Sequence, residues 1–482
     1  MKIDDNVPNL DLSNIISNLN IGLNYQYREA VINFFDSCED EALEKDLNVV
    51  LRFARLMVAY SEKVRLKRCF SIFKDKIQNY DGSNKNALLM SYYRIKGLAS
   101  YNNMAEMNAN FSKALTYLDK PYTGVEHSGH WTFGSPSVLL MFHSESGNLK
   151  EEMKQMKEGL AIYCELTDGH GYGADHVFEA EAAFYAGNFS EAEAIVHKAW
   201  YQARERDQWS VLLTISFLKM RLSFIKGNWY EVLNEQQKIA EIINTRNLLM
   251  LQHSLDICMS YINLLLNIPE KVTSWITEGD ASNARIMFPA KPAYNITYGH
   301  YLLARGEYAK LVSDAEMARD TASKFPNTLG IIYADIYSAA AHHALSDNKA
   351  SEFMESALDI ALPDNIYMPF VENIEFINDI LALLAKQERY EQGIARIMEL
   401  AHKFIEAKNK ITREYFIGYL DGLTEREMDV VRLVALGLSN KEIAEKLYLS
   451  EPGVKWRLHS IYEKMRVHDK KELKELLAEK VG

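Results

Sequence analysis

Between positions 450 and 464 the sequence SEPGVKWRLHSIYEK gathers Lys455, Trp456, Arg457, His459 and Lys464. Ammonium and guanidinium groups donate to phosphate oxygens and to the acceptor edge of guanine, while imidazole and indole donate to base edges or pack on them. Carried on one helix, these groups suit the DNA major groove, which admits a helix and shows each base pair a distinct pattern. Lys455 and Trp456 lie near the start of such a helix, the part that reaches deepest, and His459 one turn on, so these three are candidates for base edges. Trp456 has two further readings, as a ring against sugar or a thymine methyl, or as a half-buried core residue. Asn440, Lys441, Ser450, Arg457, Lys464 and the amide of Val454 are candidates for phosphate contacts, which position without specifying sequence.

The elements that must carry these groups are marked around them. Thr424 with Glu427, Ser439 with Glu442 and Asp469 with Glu472 have the spacing of a capping box, so three helix starts are expected there. Ser450 opens a fourth, with Pro452 in a first turn whose amides have no intrahelical partner. Gly437 suits the left-handed position after the first helix. Val431, Val434, Ala435, Leu438, Ile443, Ala444, Leu447, Leu449, Val454, Leu458, Ile461 and Met465 recur at helical spacing and are expected to close a small core. A short helix at 440 to 447, a turn at 448 to 450 and a helix from 451 to about 465 make a helix-turn-helix.

On these residues the segment resembles the LuxR-type helix-turn-helix domain. The match runs through Leu423, Thr424, Arg426 and Glu427, then Gly437, Ser439, Asn440, Lys441, Glu442, Ile443 and Ala444, then Val454 and Lys455. Two positions depart, with Gly453 where the family has threonine and Arg457 where it has histidine. The resemblance implies a four-helix domain over residues 423–482 that binds double-stranded operator or promoter DNA as a homodimer, with RNA polymerase a further partner. Leu473, Leu476 and Leu477, at i, i+3 and i+4, either form its dimer seam or belong to its core.

Charge separates this segment from the rest. The chain carries 54 basic and 66 acidic residues, a net of −12, which by itself argues against nucleic acid. Residues 421–482 are balanced, and within 453–471 six basic residues face only Glu463 and Asp469. One helix and its exit are therefore positive enough for one half-site.

A second pattern organises most of the chain. Polar turns begin at Gly147, Gly187, Gly227, Asn267, Gly306, Asp347 and Gln387, at intervals of 39 to 41 residues. Each follows one apolar run and precedes another, as expected of helical hairpins that must stack to bury their apolar faces. The fold class expected is all-α: an α-solenoid of about 40-residue hairpins over 101–403, of tetratricopeptide (TPR-like) type, then the four-helix domain. Residues 1–100 read as an irregular helical start, and 404–422, rich in Phe404, Ile405, Tyr415, Phe416, Tyr419 and Leu420, as a packed joint.

The solenoid predicts an extended concave surface for a small-molecule effector or a protein partner. DGHGYG at 168–173 reads either as an inter-helix turn or as part of an effector pocket lined by His170, Gly171, Tyr172 and Gly173. MFPAKPAYN at 287–295, with Pro289 and Pro292, reads as a loop. Together with the C-terminal motif, DGHGYGADHVFEAEAAFYAGNFSEAE and IYMPFVEN resemble the C-terminal half of the large MalT-like regulators. That family carries a phosphate loop, and no G-x-x-x-x-G-K-[ST] occurs here, so neither ATP nor any other cofactor is expected.

Other chemistry finds no support in the residues. Four dispersed cysteines without a C-x-x-C pair predict neither a metal nor a disulfide framework, and His342 and His343 face different sides of one helix. No nucleophile elbow or zincin motif suggests an enzyme. With no signal peptide and no 18-residue apolar run, a cytoplasmic protein without membrane contact is expected. A DNA-binding regulator is the first reading, and an adaptor whose groove and tail both bind protein is the second.

Overall fold

The computed structural model describes residues 28–120, 131–279, 287–324, 326–417, 423–435 and 437–479. Helices and turns make up these residues, with no β-strand among them. Helices α1 (Arg28–Ser37), α2 (Asp40–Leu43), α3 (Leu47–Ala59), α4 (Lys63–Ile77), α5 (Lys85–Ala99) and α6 (Met104–Leu115) come first. Most of the residues buried among α1 to α5 form a hydrophobic core of their own, into which Met287 also inserts.

The 40-residue register then sets the pairing. Helix α7 (Val138–Phe142) precedes α8 (Leu149–Thr167), and α9 (Ala174–Tyr185) precedes α10 (Phe189–Glu205). The series continues with α11 (Trp209–Ile225) and α12 (Trp229–Thr245), then α13 (Leu249–Leu265) and the four-residue α14 (Ser274–Thr277). Next come α15 (Lys291–Arg305) with α16 (Tyr308–Lys324) and α17 (Thr328–Ala344) with α18 (Ala350–Ala361). The last pair is broken in its first member, α19 (Met368–Glu372) and α20 (Ile374–Leu384), and ends in α21 (Glu388–Ile417). Gly187, Gly227, Asn267 and Gly306 have positive φ and form the left-handed ends of α9, α11, α13 and α15, and Gly147 has positive φ in the turn before α8. After α17 the left-handed residue is Ser346, one before Asp347, and Gln387 does not have positive φ.

Two expectations need correction. The turn at Asn267 leads not into a full helix but into a 3-10 turn, Pro269–Lys271, and α14, because a proline two residues on forces the intervening Ile268 out of helical backbone. Within MFPAKPAYN, Phe288–Ala290 form a 3-10 turn and Pro292 lies in the first turn of α15, where the missing amide costs no hydrogen bond.

The two members of a pair differ in burial. Helix α11 buries 14 of its 17 residues, whereas α10 buries four of 17, so first helices are covered on nearly all sides and second helices on one. What covers the first helices is the chain itself. Thr328 N donates to His143 O at 3.0 Å, Tyr367 N donates to Tyr185 O at 2.8 Å, and Asp364 accepts from Gly147 N and Leu149 N. Helix α21 crosses α11 and α12, with Leu400 packed over the turn at Gly187 and Ala407 over that at Gly227. The face that a solenoid would open to a ligand is here packed against the opposite end of the array.

The same close approach explains DGHGYG. Gly169, Gly171 and Gly173 have φ of +97°, +86° and +93°, and a Cβ on Gly171 would lie 2.4 Å from the Trp131 ring. His170 is buried with Nδ1 3.0 Å from Tyr163 Oη, Gly171 N donates to Gln208 Oε1 at 2.6 Å, and Tyr172 is half-buried. The segment is a buried inter-helix turn between α8 and α9.

Residues 404–417 continue α21, with Phe404, Ala407 and Ile411 buried against the array and Ile405 exposed. The side chains of Tyr415 and Phe416 lie outside the described residues, as do Tyr419, Leu420 and residues 1–27. No helix among the described residues is long and apolar enough to cross a membrane, and none of their His, Cys, Asp and Glu side chains gather as a metal site.

Candidate DNA-binding site

Four helices follow: α22 (Glu425–Ala435), α23 (Asn440–Lys446), α24 (Glu451–Met465) and α25 (Lys470–Glu479). Their starts are fixed by side chains. Thr424 and Glu427 cap each other across α22, and Ser439 and Glu442 complete a capping box on α23. Ser450 Oγ accepts from Gly453 N at 3.2 Å, with Pro452 in the first turn of α24. At α25 Asp469 accepts from Glu472 N, but the Glu472 carboxylate reaches back one residue further, to His468 N.

These helices close a core of their own around Val430, Val431, Val434, Ile443, Val454, Leu458, Ile461 and Leu473. Ala435, expected in it, is exposed, because the last turn of α22 rotates it away from the stripe that Val431 and Val434 share. Leu473 and Leu477 are buried in this core and Leu476 is half-buried. Two of the three leucines considered for a dimer seam therefore serve the domain itself.

One carboxylate ties the first and third helices together. Glu427 accepts from Lys464 Nζ at 2.6 Å, from Ser460 Oγ at 2.6 Å and from Thr424 N and Oγ1. Burial alone would raise its carboxyl, but these donors outweigh burial and hold it at about 2.

The outward side of α24 carries the other candidates. Trp456 is 73% exposed, which removes the core reading and leaves its ring on the surface beside Lys455. Lys455 and His459 are exposed and paired only loosely, with Glu451 at 3.7 Å and Glu463 at 3.6 Å. Arg457 is half-buried, Lys441 is exposed, and neither has an ion-pair partner among the described residues. Four phosphate candidates are engaged within the domain. The Lys464 ammonium lies on Glu427, the Val454 amide donates to Ser450 O at 3.0 Å as the first intrahelical bond, and Asn440 Oδ1 accepts from Lys470 at 2.9 Å. Ser450 Oγ is taken up by its cap.

One residue escaped the sequence reading. Tyr448, in the turn between α23 and α24, is 97% exposed and has φ of +54°. Its signal was a bulky side chain at a turn position where glycine, asparagine or aspartate costs less.

A compact helical domain with four residues, 447–450, between α23 and a solvent-facing basic helix is a helix-turn-helix DNA-binding module, its turn starting one residue earlier than the sequence suggests. Residues 421–477 match the family model of the bacterial regulatory proteins, luxR family (GerE), so the chain carries a LuxR-type domain. Over 51 residues it is 49% identical to the nitrate/nitrite response regulator protein homolog of Haemophilus influenzae, covering 11% of this chain and 24% of that protein. It is 27% identical over 168 residues to the uncharacterized transcriptional regulatory protein YxjL of Bacillus subtilis, 33% of this chain and 64% of that one. The CsgBAC operon transcriptional regulatory protein of Escherichia coli is 29% identical over 106 residues, 21% and 49% of the two chains. The chain thus spans less than two thirds of the length of each of these relatives. No solved structure matches the chain.

Proposed function

We propose that the protein is a sequence-specific DNA-binding transcription regulator in which the helical array, 101–403, senses a small-molecule effector or protein partner. Residues 404–422 transmit its state to the DNA-binding domain, 423–482. The observation that carries this reading is the outward face of α24, where Lys455, Trp456 and His459 stand in solvent on the helix that a LuxR-type domain places in the major groove. The acidic balance of the rest of the chain supports a division of labour, since an array of that charge contributes nothing to phosphate affinity.

Selection of binding sites from random duplexes with the full chain, followed by mobility shifts at several salt concentrations, tests the reading. A dimer making 6 to 9 phosphate contacts lowers log K with log salt at a slope of about −5 to −8. Failure to enrich any sequence, together with a protein partner recovered in stable complex, supports the adaptor instead.

A further inference from the structure

Glu181, Arg221, Tyr261 and His300 each stand six residues before a periodic turn residue, on α9, α11, α13 and α15, and all four are buried. Equivalent positions in stacked hairpins face the same side, and here that side is the axis of the array. The Arg221 guanidinium meets Glu372, the last residue of α19: Nη2 lies 2.9 and 3.0 Å from the two carboxylate oxygens and Nε 3.1 Å from Oε1. Tyr261 and Tyr333 donate to Glu372 Oε2 at 2.6 and 3.0 Å. Phe184, Tyr185, Phe217 and Tyr261 surround the guanidinium carbon, with ring centroids 4.4 to 5.8 Å away.

Two further atoms in this layer are left over. His300, whose ring packs edge-on against Tyr261 and Phe376, has a buried Nδ1 without a hydrogen-bond partner, and so has Asn373 Oδ1, next to Glu372. Burial keeps the His300 imidazole neutral, with its pKa down at about 3. Replacing a buried ion pair by apolar residues of similar volume is often neutral or stabilising, and unpaired buried polar atoms subtract further, so this layer is costly if packing is its sole role.

We propose that Arg221 is the anion subsite of an effector site at the centre of the array, built for a small organic carboxylate with an apolar body, and that Glu372 occupies it in the closed state. The inference rests on the sensing role proposed above. The ligand carboxylate takes the fork that Glu372 holds, its apolar part lies among Phe184, Phe217 and Tyr261, and His300 and Asn373 offer polar contacts beside it. Glu372 rides on a five-residue helix interrupted from α20 at Asn373, and α19 packs on α21, which leads to the DNA-binding domain. Displacing Glu372 from Arg221 loosens α19 from α11 and thereby changes the seat of α21.

Propionate is the probe, titrated into the full chain without DNA and followed by calorimetry and by melting temperature. The wild type should bind it saturably but weakly, because Glu372 competes. Glu372→Ala should bind about tenfold or more tightly, the internal competitor having been removed. Arg221→Met with Glu372→Ala should not bind at all. Melting temperatures should rise with the logarithm of propionate concentration in the first two proteins only. Binding by the double variant, or binding by Glu372→Ala with none by the wild type, overturns the proposal. Where Glu372→Ala does not fold, Glu372→Gln keeps the shape without the charge, and affinity no higher than wild type has the same meaning. A chain that binds propionate but no DNA sequence refutes the regulator and leaves the site standing; the reverse result refutes the site alone.

Discussion

The Lys464 ammonium near the end of the basic helix α24 lies 2.6 Å from Glu427 Oε2 in the first helix of the domain. It joins α22 to the last turn of α24. Because the Glu427 carboxyl is held at about 2 in the folded domain, below the ordinary 4.5, the folded state binds its proton less readily than the unfolded one. Its contribution is fully present above pH 4.5 and is lost as pH falls towards 2. Acid titration followed by hydrogen exchange of the α22 and α24 amides should show the domain weakening across that window, and Glu427→Gln should flatten the profile while costing about 1–3 kcal/mol at neutral pH. An unchanged acid limb in the variant would refute the assignment.

The same pair separates two classes of lysine and arginine. Lys455→Ala and Arg457→Ala should each weaken DNA binding and reduce the magnitude of the salt slope by about 1, since each removes one phosphate or base donor that the domain does not use internally. Lys464→Ala should instead lower the melting temperature and leave the slope nearly unchanged, its charge being held by Glu427. Equal slopes for all three variants would contradict this division.

Gly453 is not demanded by the backbone. Its φ is not positive, and an added Cβ would meet only Ser450 Oγ, at 3.2 Å. Gly453→Thr should therefore fold and restore the hydroxyl that the LuxR pattern has at this place, strengthening DNA binding by about 0.5–1.5 kcal/mol through one added hydrogen bond. Weaker binding in mobility shifts would mean that α24 sits too close to the backbone for a side chain there.

How much of this was legible depends on the range of the interaction. The caps at Thr424, Ser439 and Ser450 and the turns at Gly187 and Gly227 are local, so their residues announce them within four positions. The closure of the array was not legible. It depends on contacts such as Arg221 with Glu372, 151 residues apart, for which no spacing rule exists. The ladder of Glu181, Arg221, Tyr261 and His300 was present in the 40-residue register, but polar residues at one repeat position read equally well as a wet groove. Lys464 and Asn440 looked available for phosphate because their partners, Glu427 and Lys470, come from helices 37 and 30 residues away.

Glu181 is expected to make the array itself sensitive to pH. Fully buried, it caps α7 by accepting from Leu139 N at 2.7 Å, and burial pushes its carboxyl up to about 7. Since the folded state holds this proton more tightly than the unfolded chain, stability falls as pH rises from about 4.5 to 7. Thermal melts of Glu181→Gln, which keeps the acceptor, should lose that slope and gain about 2–3 kcal/mol at pH 8. A variant less stable than wild type at pH 8 would show that the charged form is the one the array requires.

Three left-handed glycines separate backbone strain from packing. At Gly437 an added Cβ has only Lys474 Nζ nearby, at 3.9 Å, so Gly437→Ala should cost about 1–2 kcal/mol, the strain of a left-handed alanine alone. At Gly227 the nearest atom is Lys410 Cδ, 2.9 Å away on an exposed side chain that can move aside, and Gly227→Ala should cost about the same. At Gly187 the Cβ would stand 2.6 Å from the buried Leu400 of α21, which has nowhere to go. Gly187→Ala should therefore add a further 1–3 kcal/mol or so of overpacking and lift α21 from the turn. Replacing Leu400 by alanine in that background should recover the overpacking part, since the clash and its relief involve the same two residues. Equal melting temperatures for the three single variants would mean that α21 does not bear on this turn in solution.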